Sequence, residues 1–447
     1  MAHRNRVTRI AKTRSVVVFM LALLAAASMW FYVNRILEPQ QVTDAAAYHR
    51  PRGSLSDLYP RWLGARELLL HRRNPYSQEI TQEIQRGYYG RPLDPSRPDD
   101  PRDEQRFAYP VYVVFLLAPT IALPFDVVEA GFRWLLVGIA VVSVLLWFRV
   151  LRWKLSITST VLSIVLVLGS LPVVQAIKLE QLSLLVAGML AGSAACLAYG
   201  YLFSAGLLLA LATIKPQLSW PIVIWLLLWA GSDWHLRRRL VLGFGFAMTL
   251  FLVGAEFVLP GWGHMFRQAL TQYHQYTQNQ SILQWLVGPG WGRFLEALAV
   301  LLCAVCLWRL RREPASSPRF GRAFGLVLAL TVVIVPMYSP YNQFLLLPAI
   351  LALVERASAR RSVSPAARLA GLLGGLLVVW PWIATLSLSV AYWWPSSGRR
   401  QTVWTLPFYT IFAIPVAVFS LTCLAAWSAE APDYKDTLAE SSAAATG

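Results

Sequence analysis

Apolar runs, many of about 18 residues or more, recur along the whole chain, and a run of that length can cross the hydrocarbon of a bilayer as one helix. Lipid offers the backbone no hydrogen-bond partner, so such a chain satisfies its N–H and C=O groups within helices. The runs fall at Ser15–Leu37, Tyr109–Pro124, Val127–Phe148, Ile157–Val174, Leu182–Tyr199, Leu202–Ala230 (interrupted at Lys215-Pro216), Leu240–Leu259, Trp291–Leu310, Gly321–Pro336, Tyr341–Val354, Leu369–Leu388 and Val403–Trp427. The expectation is an all-α polytopic membrane protein with roughly twelve transmembrane helices. Composition agrees: 14% of residues are charged, against about 25% in soluble proteins.

The net charge of +17 is not gathered in one patch but divided among Arg4–Arg14, Arg149–Lys154, Arg237–Arg239, Arg309–Arg322 and Arg356–Arg368. Basic segments between apolar runs mark cytoplasmic loops. No stacking motif or helix-turn-helix pattern accompanies them, so nucleic acid is not expected as a partner. Residues 1–14 read as a cytoplasmic basic N-terminus and the first run as a retained anchor, since no small-x-small cleavage site follows it. A single transmembrane domain over 15–427 follows. It carries a first external loop at 38–107 with amphipathic surface helices and a second external loop at 260–290. Residues 428–447 read as a disordered cytoplasmic tail. Parity is awkward in one place. If every run crosses, Arg149–Lys154 falls outside, against the positive-inside rule; a re-entrant segment before it moves the conflict. Cys196, Cys303, Cys306 and Cys423 lie in apolar runs and read as small helix residues.

The first external loop holds SLSDLYPRWLGARELLLH at Ser54–His71. Its apolar spacing fits an amphipathic helix lying on a membrane surface. Asp57, early in that stretch, could serve as a general base. Local pattern alone favours an N-cap, with Pro60 at the third helical position. Tyr109-Pro110 reads as an interfacial tyrosine before a helix-starting proline. Glu180-Gln181 lies between two apolar runs, in a solvated loop or facing a site. Lys215 has no charged neighbour in the chain between Glu180 and Asp233. An ionisable residue so deep faces a cavity or a partner, and beside Pro216 it could meet an anionic phosphate; the bland alternative is snorkelling. Gln272–Trp285 mixes amides, aromatic faces and His274, a set suited to sugar hydroxyls or to an interfacial loop. Tyr338–Gln343 opens a late run with Asn342 and Gln343, either cap-and-turn residues or site residues. Asp99-Asp100 sits in a charged, Pro-rich piece and reads as solvated. There is no P-loop, GxGxxG after a strand, HExxH or external DxD, so ATP, nucleotide-sugar and zinc chemistry find no support. No cofactor is implied, and the sequence leaves a divalent-metal requirement open.

Six pieces in order, SDLYPRWLGARELLLHRRNPY, FAYPVYVVFLLAPTIALP, LEQLSLL, AGLLLALATIKPQ, NQS and SPYNQFLLLPAIL, resemble the GT-C membrane glycosyltransferases, most closely glycosyltransferase family 87. That family includes polyprenyl-phosphate-mannose-dependent mannosyltransferases. The resemblance implies a GT-C fold whose first external loop carries a catalytic aspartate, Asp57 here. It implies a polyprenyl-phosphate hexose donor, inversion at the anomeric carbon, and an active site on the non-cytoplasmic side of the plasma membrane. The acceptor is a glycolipid, glycan or protein hydroxyl. Lys215 matches the family's Lys-Pro, and Lys215 and Arg61 are the expected donor-phosphate ligands. Asn279, Gln280 and Ser281 match its NQS, and with Tyr109, Gln181, His274, Asn342 and Gln343 they are the expected sugar or acceptor ligands. Three departures stand out. Glu180-Gln181 replaces a common Gly-Gln, YPV replaces YPP, and Asn342-Gln343 stands where Trp and His commonly follow Ser-Pro. A transporter or flippase of lipid-linked sugars, lacking transferase activity, is the rival reading; it would show repeated hydropathy and a midplane site. No clear repeat is seen.

Overall fold

The computed structural model describes residues 2–47, 56–94, 96–101, 103–277, 280–336, 339–358, 365–393 and 403–428. All regular structure among them is helical. Helix α1 (Ala2–Phe31) passes through a π turn, Tyr32–Leu37, into α2 (Glu38–Ala47). The first apolar helix therefore does not stop at Leu37 but continues to Ala46, 32 residues from Ser15. Next come α3 (Tyr59–His71), α4 (Gln78–Tyr89), α5 (Val113–Leu117), α6 (Phe125–Val150), α7 (Ile157–Leu168), α8 (Leu171–Lys178) and α9 (Leu182–Ala198). They are followed by α10 (Leu202–Leu211), α11 (Pro216–Gly231), α12 (Trp234–Val258), α13 (Trp262–Thr277), α14 (Ile282–Val287) and α15 (Pro289–Leu310). The last are α16 (Pro318–Ile334), α17 (Leu347–Ser358), α18 (Pro365–Tyr392), α19 (Leu406–Thr410) and α20 (Ala413–Ser428).

Among the described residues, five helical segments are long and apolar enough to cross a membrane: Ser15–Ala46, Phe125–Val150, Trp234–Val258, Pro365–Tyr392 and Leu406–Ala426. The pair Ile157–Leu168 and Leu171–Lys178, bent by 57°, makes a sixth if it is one span. The count of roughly twelve took each apolar run as one span, with an interruption expected at Lys215-Pro216, and among the described residues only five or six are long enough. Tyr109–Pro124 contains only the five-residue α5 and a 3-10 turn, Ala118–Thr120; five residues rise about 8 Å. Leu202–Ala230 breaks at Lys215, where φ is −125° and ψ 78°. Long faces of these helices are apolar and uncovered, such as Phe246, Leu250, Val253 and Phe257 on α12. That is the surface of a membrane protein.

The core forms around α16, whose residues from Phe320 to Val333 are buried almost without exception. A helix apolar on all sides belongs inside. It packs on α11, α15, α17 and α20. The closest crossing is α10 on α12: a Cβ at Gly206 would lie 2.3 Å from Leu240 O, and one at Gly243 2.2 Å from Phe203 O. Only glycine permits this backbone contact, the small-residue packing that drives helix association in lipid.

Helix α3 is not a half-immersed surface helix. Pro60, Trp62, Gly64, Ala65, Glu67 and Leu68 are buried most of the way round it, and Gly64 lies against the Phe107 ring. The one-sided helix of this loop is α4, burying Ile80, Thr81, Ile84, Gln85 and Tyr88. Ser77 caps it by accepting from Ile80 N at 3.2 Å, in the turn that NPYS signals. Asp100 is not solvated: Arg91 pairs with it, holding its carboxyl down at about 2. The tail at 429–447 lies outside the described residues, as do Ser54 and Leu55.

Candidate active site

Four interruptions of helix meet at one place: the turn before α3, the α8–α9 junction, the break at Lys215 and the 3-10 helix Pro340–Leu346. Irregular backbone at membrane depth persists where protein or a cavity covers it. The first two interruptions are joined directly, Asp57 N donating to Leu179 O at 2.9 Å. Asp57 is not a helix cap: α3 starts at Tyr59 with Pro60 second, and its N-cap, Leu58, makes no side-chain bond. The Asp57 carboxylate instead accepts from Gln181 Nε2. Gln181 Oε1 accepts from Lys215 Nζ at 3.1 Å, and the same ammonium donates to Ser183 Oγ at 2.6 Å. Ser183 Oγ donates to Asn342 Oδ1 at 2.8 Å, and Lys215 Nζ lies 5.1 Å from the centroid of the Tyr341 ring. A chain of polar contacts thus runs Asp57–Gln181–Lys215–Ser183–Asn342, through contacting pairs up to 159 residues apart that the backbone breaks bring together.

Glu180 makes the second break. Its φ is +47°, a left-handed conformation that costs a residue with a side chain about 1–2 kcal/mol. The fully buried carboxylate accepts from Arg133 Nε at 2.5 Å, and Arg133 also bonds Glu129 at 2.8 Å. The Glu-for-Gly departure therefore sits where glycine costs nothing, and the Arg133 contact holds the glutamate there.

Asp57 opens onto a cavity of about 660 Å³. Its lining includes the polar groups of Asp57, Asp103, Gln105 and Tyr88 and an aromatic cluster of Trp285, Phe408 and Phe412, Trp285 and Phe412 lying 5.7 Å apart by ring centroids. Removal from water pushes the Asp57 carboxyl up to about 6, and the Asp103 charge adds to this. Arg61, Lys215 and the Gln181 hydrogen bond oppose the rise. Burial raises Asp103 as well, against the hydrogen bonds from Gln105 and the charge of Arg61. Two neighbouring carboxylates oppose each other's ionisation, and Asp103 itself keeps an exposed surface.

Among the expected ligands, Gln280 lines the cavity. Arg61 and Lys215 do not. Arg61 donates to the Asp57 backbone carbonyl at 2.7 Å and lies 4.6 Å from the Tyr109 ring centroid, so Tyr109 packs behind the aspartate. Asn342 belongs to the polar chain, and Gln343 is buried, donating to Ile411 O at 3.2 Å. Ser281 caps α14 through Gln284 N at 3.2 Å and donates to Glu296. His274 stands exposed on α13, away from the cavity lining. Asn279 lies outside the described residues. Sequence reasoning missed Asp103, Tyr88, Gln105 and Lys178 as cavity residues. The one available signal was the position of Lys178, two residues before Glu180-Gln181.

The model of glycosyltransferase family 87 matches residues 107–340, more than half of the chain. The chain belongs to glycosyltransferase family 87. As a member of this family it is a glycosyltransferase, acting on a sugar donor and an acceptor. The matched stretch contains Gln181, Lys215 and Gln280; Asp57 precedes it. No curated protein and no solved structure matches the chain.

Proposed function

We propose that this family 87 member is an inverting transferase that moves a hexose, mannose by family resemblance, from a polyprenyl-phosphate donor to a glycolipid, glycan or protein hydroxyl on the non-cytoplasmic face of the plasma membrane. The observation that carries the reading is Asp57: a carboxylate held by Gln181, facing a cavity lined by both polar groups and an aromatic cluster. Such a cavity suits a sugar with a lipid tail. The acceptor hydroxyl sits between Asp57 and the anomeric carbon. Asp57 takes its proton as the new C–O bond forms and the bond to the lipid phosphate breaks on the opposite face. Phosphate leaves as an anion without protonation, so one carboxylate suffices where glycosidases need two. Lys215 acts through Gln181 to hold Asp57 in place. A pKa near 6 suits a base at neutral pH.

Chain path supports the proposed side. Arg237 donates to the carbonyls of Arg311 (2.9 Å), Arg312 (3.2 Å) and Glu313 (3.3 Å). Gly321 packs on Val150, and Arg356 donates to Ala425 O at 2.6 Å. The basic segments thus gather at helix ends remote in the chain path from Asp57, Gln181 and Lys215. With Tyr109–Pro124 too short to cross, α6 carries Arg149–Lys154 to the side of the N-terminus, as the positive-inside rule requires. In this reading residues 15–427 form one transmembrane domain, with external loops at 38–107 and 260–290.

Purified protein incubated with radiolabelled polyprenyl-phosphate-mannose and a membrane extract should give labelled product, and Asp57→Asn should reduce it at least about a hundredfold. The folded-state pKa of Asp57 is raised from 3.8 to about 6, so stability is full at low pH, falls as pH rises between those values, and the loss is complete above about 6. Asn keeps an acceptor for Gln181. At pH 7.5 the variant should melt higher than the wild type, by up to about 3 kcal/mol of stability. Full transfer by a folded Asp57→Asn protein would sink the mechanism.

A further inference from the structure

Two cavities meet at one ion pair. Lys178, the last residue of α8, holds its Nζ 3.1 Å from Oε2 of Glu38, the first residue after the π turn. Both side chains line the Asp57 cavity, and both also line a more open neighbour of about 830 Å³ that includes Arg35 and Thr43. Among the described residues lining the Asp57 cavity, Lys178 is the only Lys or Arg, against three acids, Glu38, Asp57 and Asp103.

A phosphate leaving group cannot sit among three carboxylates without a cation. Lys215 and Arg61 line neither cavity, and their nearest partners are Gln181, Ser183 and the Asp57 carbonyl. The Lys178 side chain is 28% exposed and the Glu38 side chain 34%, so the pair stands at the lip of both cavities, open to exchange. A lysine ammonium is a compact point charge that accepts one oxyanion in place of another without a fixed geometry.

We infer that Lys178 is the phosphate ligand of the Asp57 cavity, exchanging Glu38 for the phosphate of a lipid-linked substrate that reaches it past Arg35. This rests on the transferase reading, whose donor carries that phosphate. The sugar then lies toward Asp57 and the lipid toward the aromatic cluster, along Phe408 and Phe412.

The test uses the full-length protein in detergent, with dodecyl phosphate and dodecanol as probes and tryptophan fluorescence as the readout. Wild type should bind dodecyl phosphate at least about tenfold more tightly than dodecanol, the scale of one charge-assisted contact. Lys178→Gln should abolish that preference and Lys178→Arg should keep it. Glu38→Gln should tighten dodecyl phosphate binding about threefold, because the phosphate no longer competes with a carboxylate. A purely structural ion pair would instead make Lys178→Gln and Glu38→Gln weaken binding alike, and that result overturns the inference, as does a preference retained in Lys178→Gln. Competition by inorganic phosphate as strong as by dodecyl phosphate would overturn the lipid assignment. No sugar moves in this assay. Transfer that coexists with unchanged binding by Lys178→Gln defeats the inference alone. A Lys178-dependent preference in a protein that transfers no sugar from any lipid phosphate defeats the transferase reading alone.

Discussion

At the scale of single residues, the site is an arrangement for keeping one carboxylate basic yet ionised. Burial raises Asp57 to about 6, while Arg61, Lys215 and Gln181 stop it from rising further. Lys215 reaches the aspartate through the glutamine amide, whose NH2 faces the carboxylate and whose oxygen faces the ammonium. Replacing the ammonium by an isosteric apolar chain removes a charge that favours ionised Asp57 and unfixes the amide. Lys215→Met should therefore shift the acid limb of kcat/KM upward from about 6, by roughly one pH unit, as well as lowering the plateau. A pH–rate profile of the variant beside the wild type reads this directly. An unmoved limb would mean that Lys215 does not act on Asp57. A surface lysine lost from the same fold would leave the limb where it was.

At the scale of elements, the protein places its chemistry on helix breaks and its rigidity on helix crossings. The α10–α12 crossing leads straight into the break at Lys215, so its precision is felt at the site. Gly206→Ala or Gly243→Ala puts a Cβ within 2.3 Å of backbone atoms that cannot rotate away. Each should cost about 1–3 kcal/mol and lower kcat by displacing Lys215. Gly245→Ala on the same helix meets nothing within 4 Å and should be neutral or slightly stabilising, since alanine favours helix. Thermal denaturation of the three variants in detergent separates these outcomes. The elements also show what a sequence can disclose. Hydropathy located the apolar runs because burial in lipid needs only length and composition. It marked an interruption at Lys215-Pro216 and a junction at Glu180-Gln181, but not the backbone that forms there, because a left-handed residue or a 3-10 turn leaves hydropathy unchanged. Motif order found Asp57, Gln181, Lys215 and Asn342, whose contacts close into one chain. It did not find Asp103 or Lys178: an acid in a charged, Pro-rich segment and a lysine at a helix end keep exposed surface, and only the tertiary structure brings them to the cavity.

At the scale of the whole molecule, the decisive feature is an apolar run that becomes only a five-residue helix and a 3-10 turn. Tyr109–Pro124 is as apolar as its neighbours, yet Tyr76 donates to Tyr109 O at 2.6 Å, Tyr112 donates to Thr213 O at 2.9 Å, and Trp62 donates to Thr120 O at 3.2 Å. Those bonds tie the segment to the site and to α3, and α5 is left five residues long. The topology of everything downstream depends on that short segment turning back. If it turns back, Arg152 and Arg238 share the cytoplasmic side with residues 1–14, and Gln268 on α13 lies outside. If it crosses, Arg152 moves outside and the basic segments divide between the two faces. Single cysteines at these three exposed positions, in a background with the four native cysteines replaced by serine, distinguish the cases. A membrane-impermeant maleimide added to intact cells stripped of their wall should label Gln268→Cys. It should leave Arg152→Cys and Arg238→Cys unlabelled until the membrane is permeabilised. Labelling of Arg152→Cys from outside would show that Tyr109–Pro124 spans the bilayer, and the assignment of the Asp57 cavity to the non-cytoplasmic face would lose its support from the positive charges.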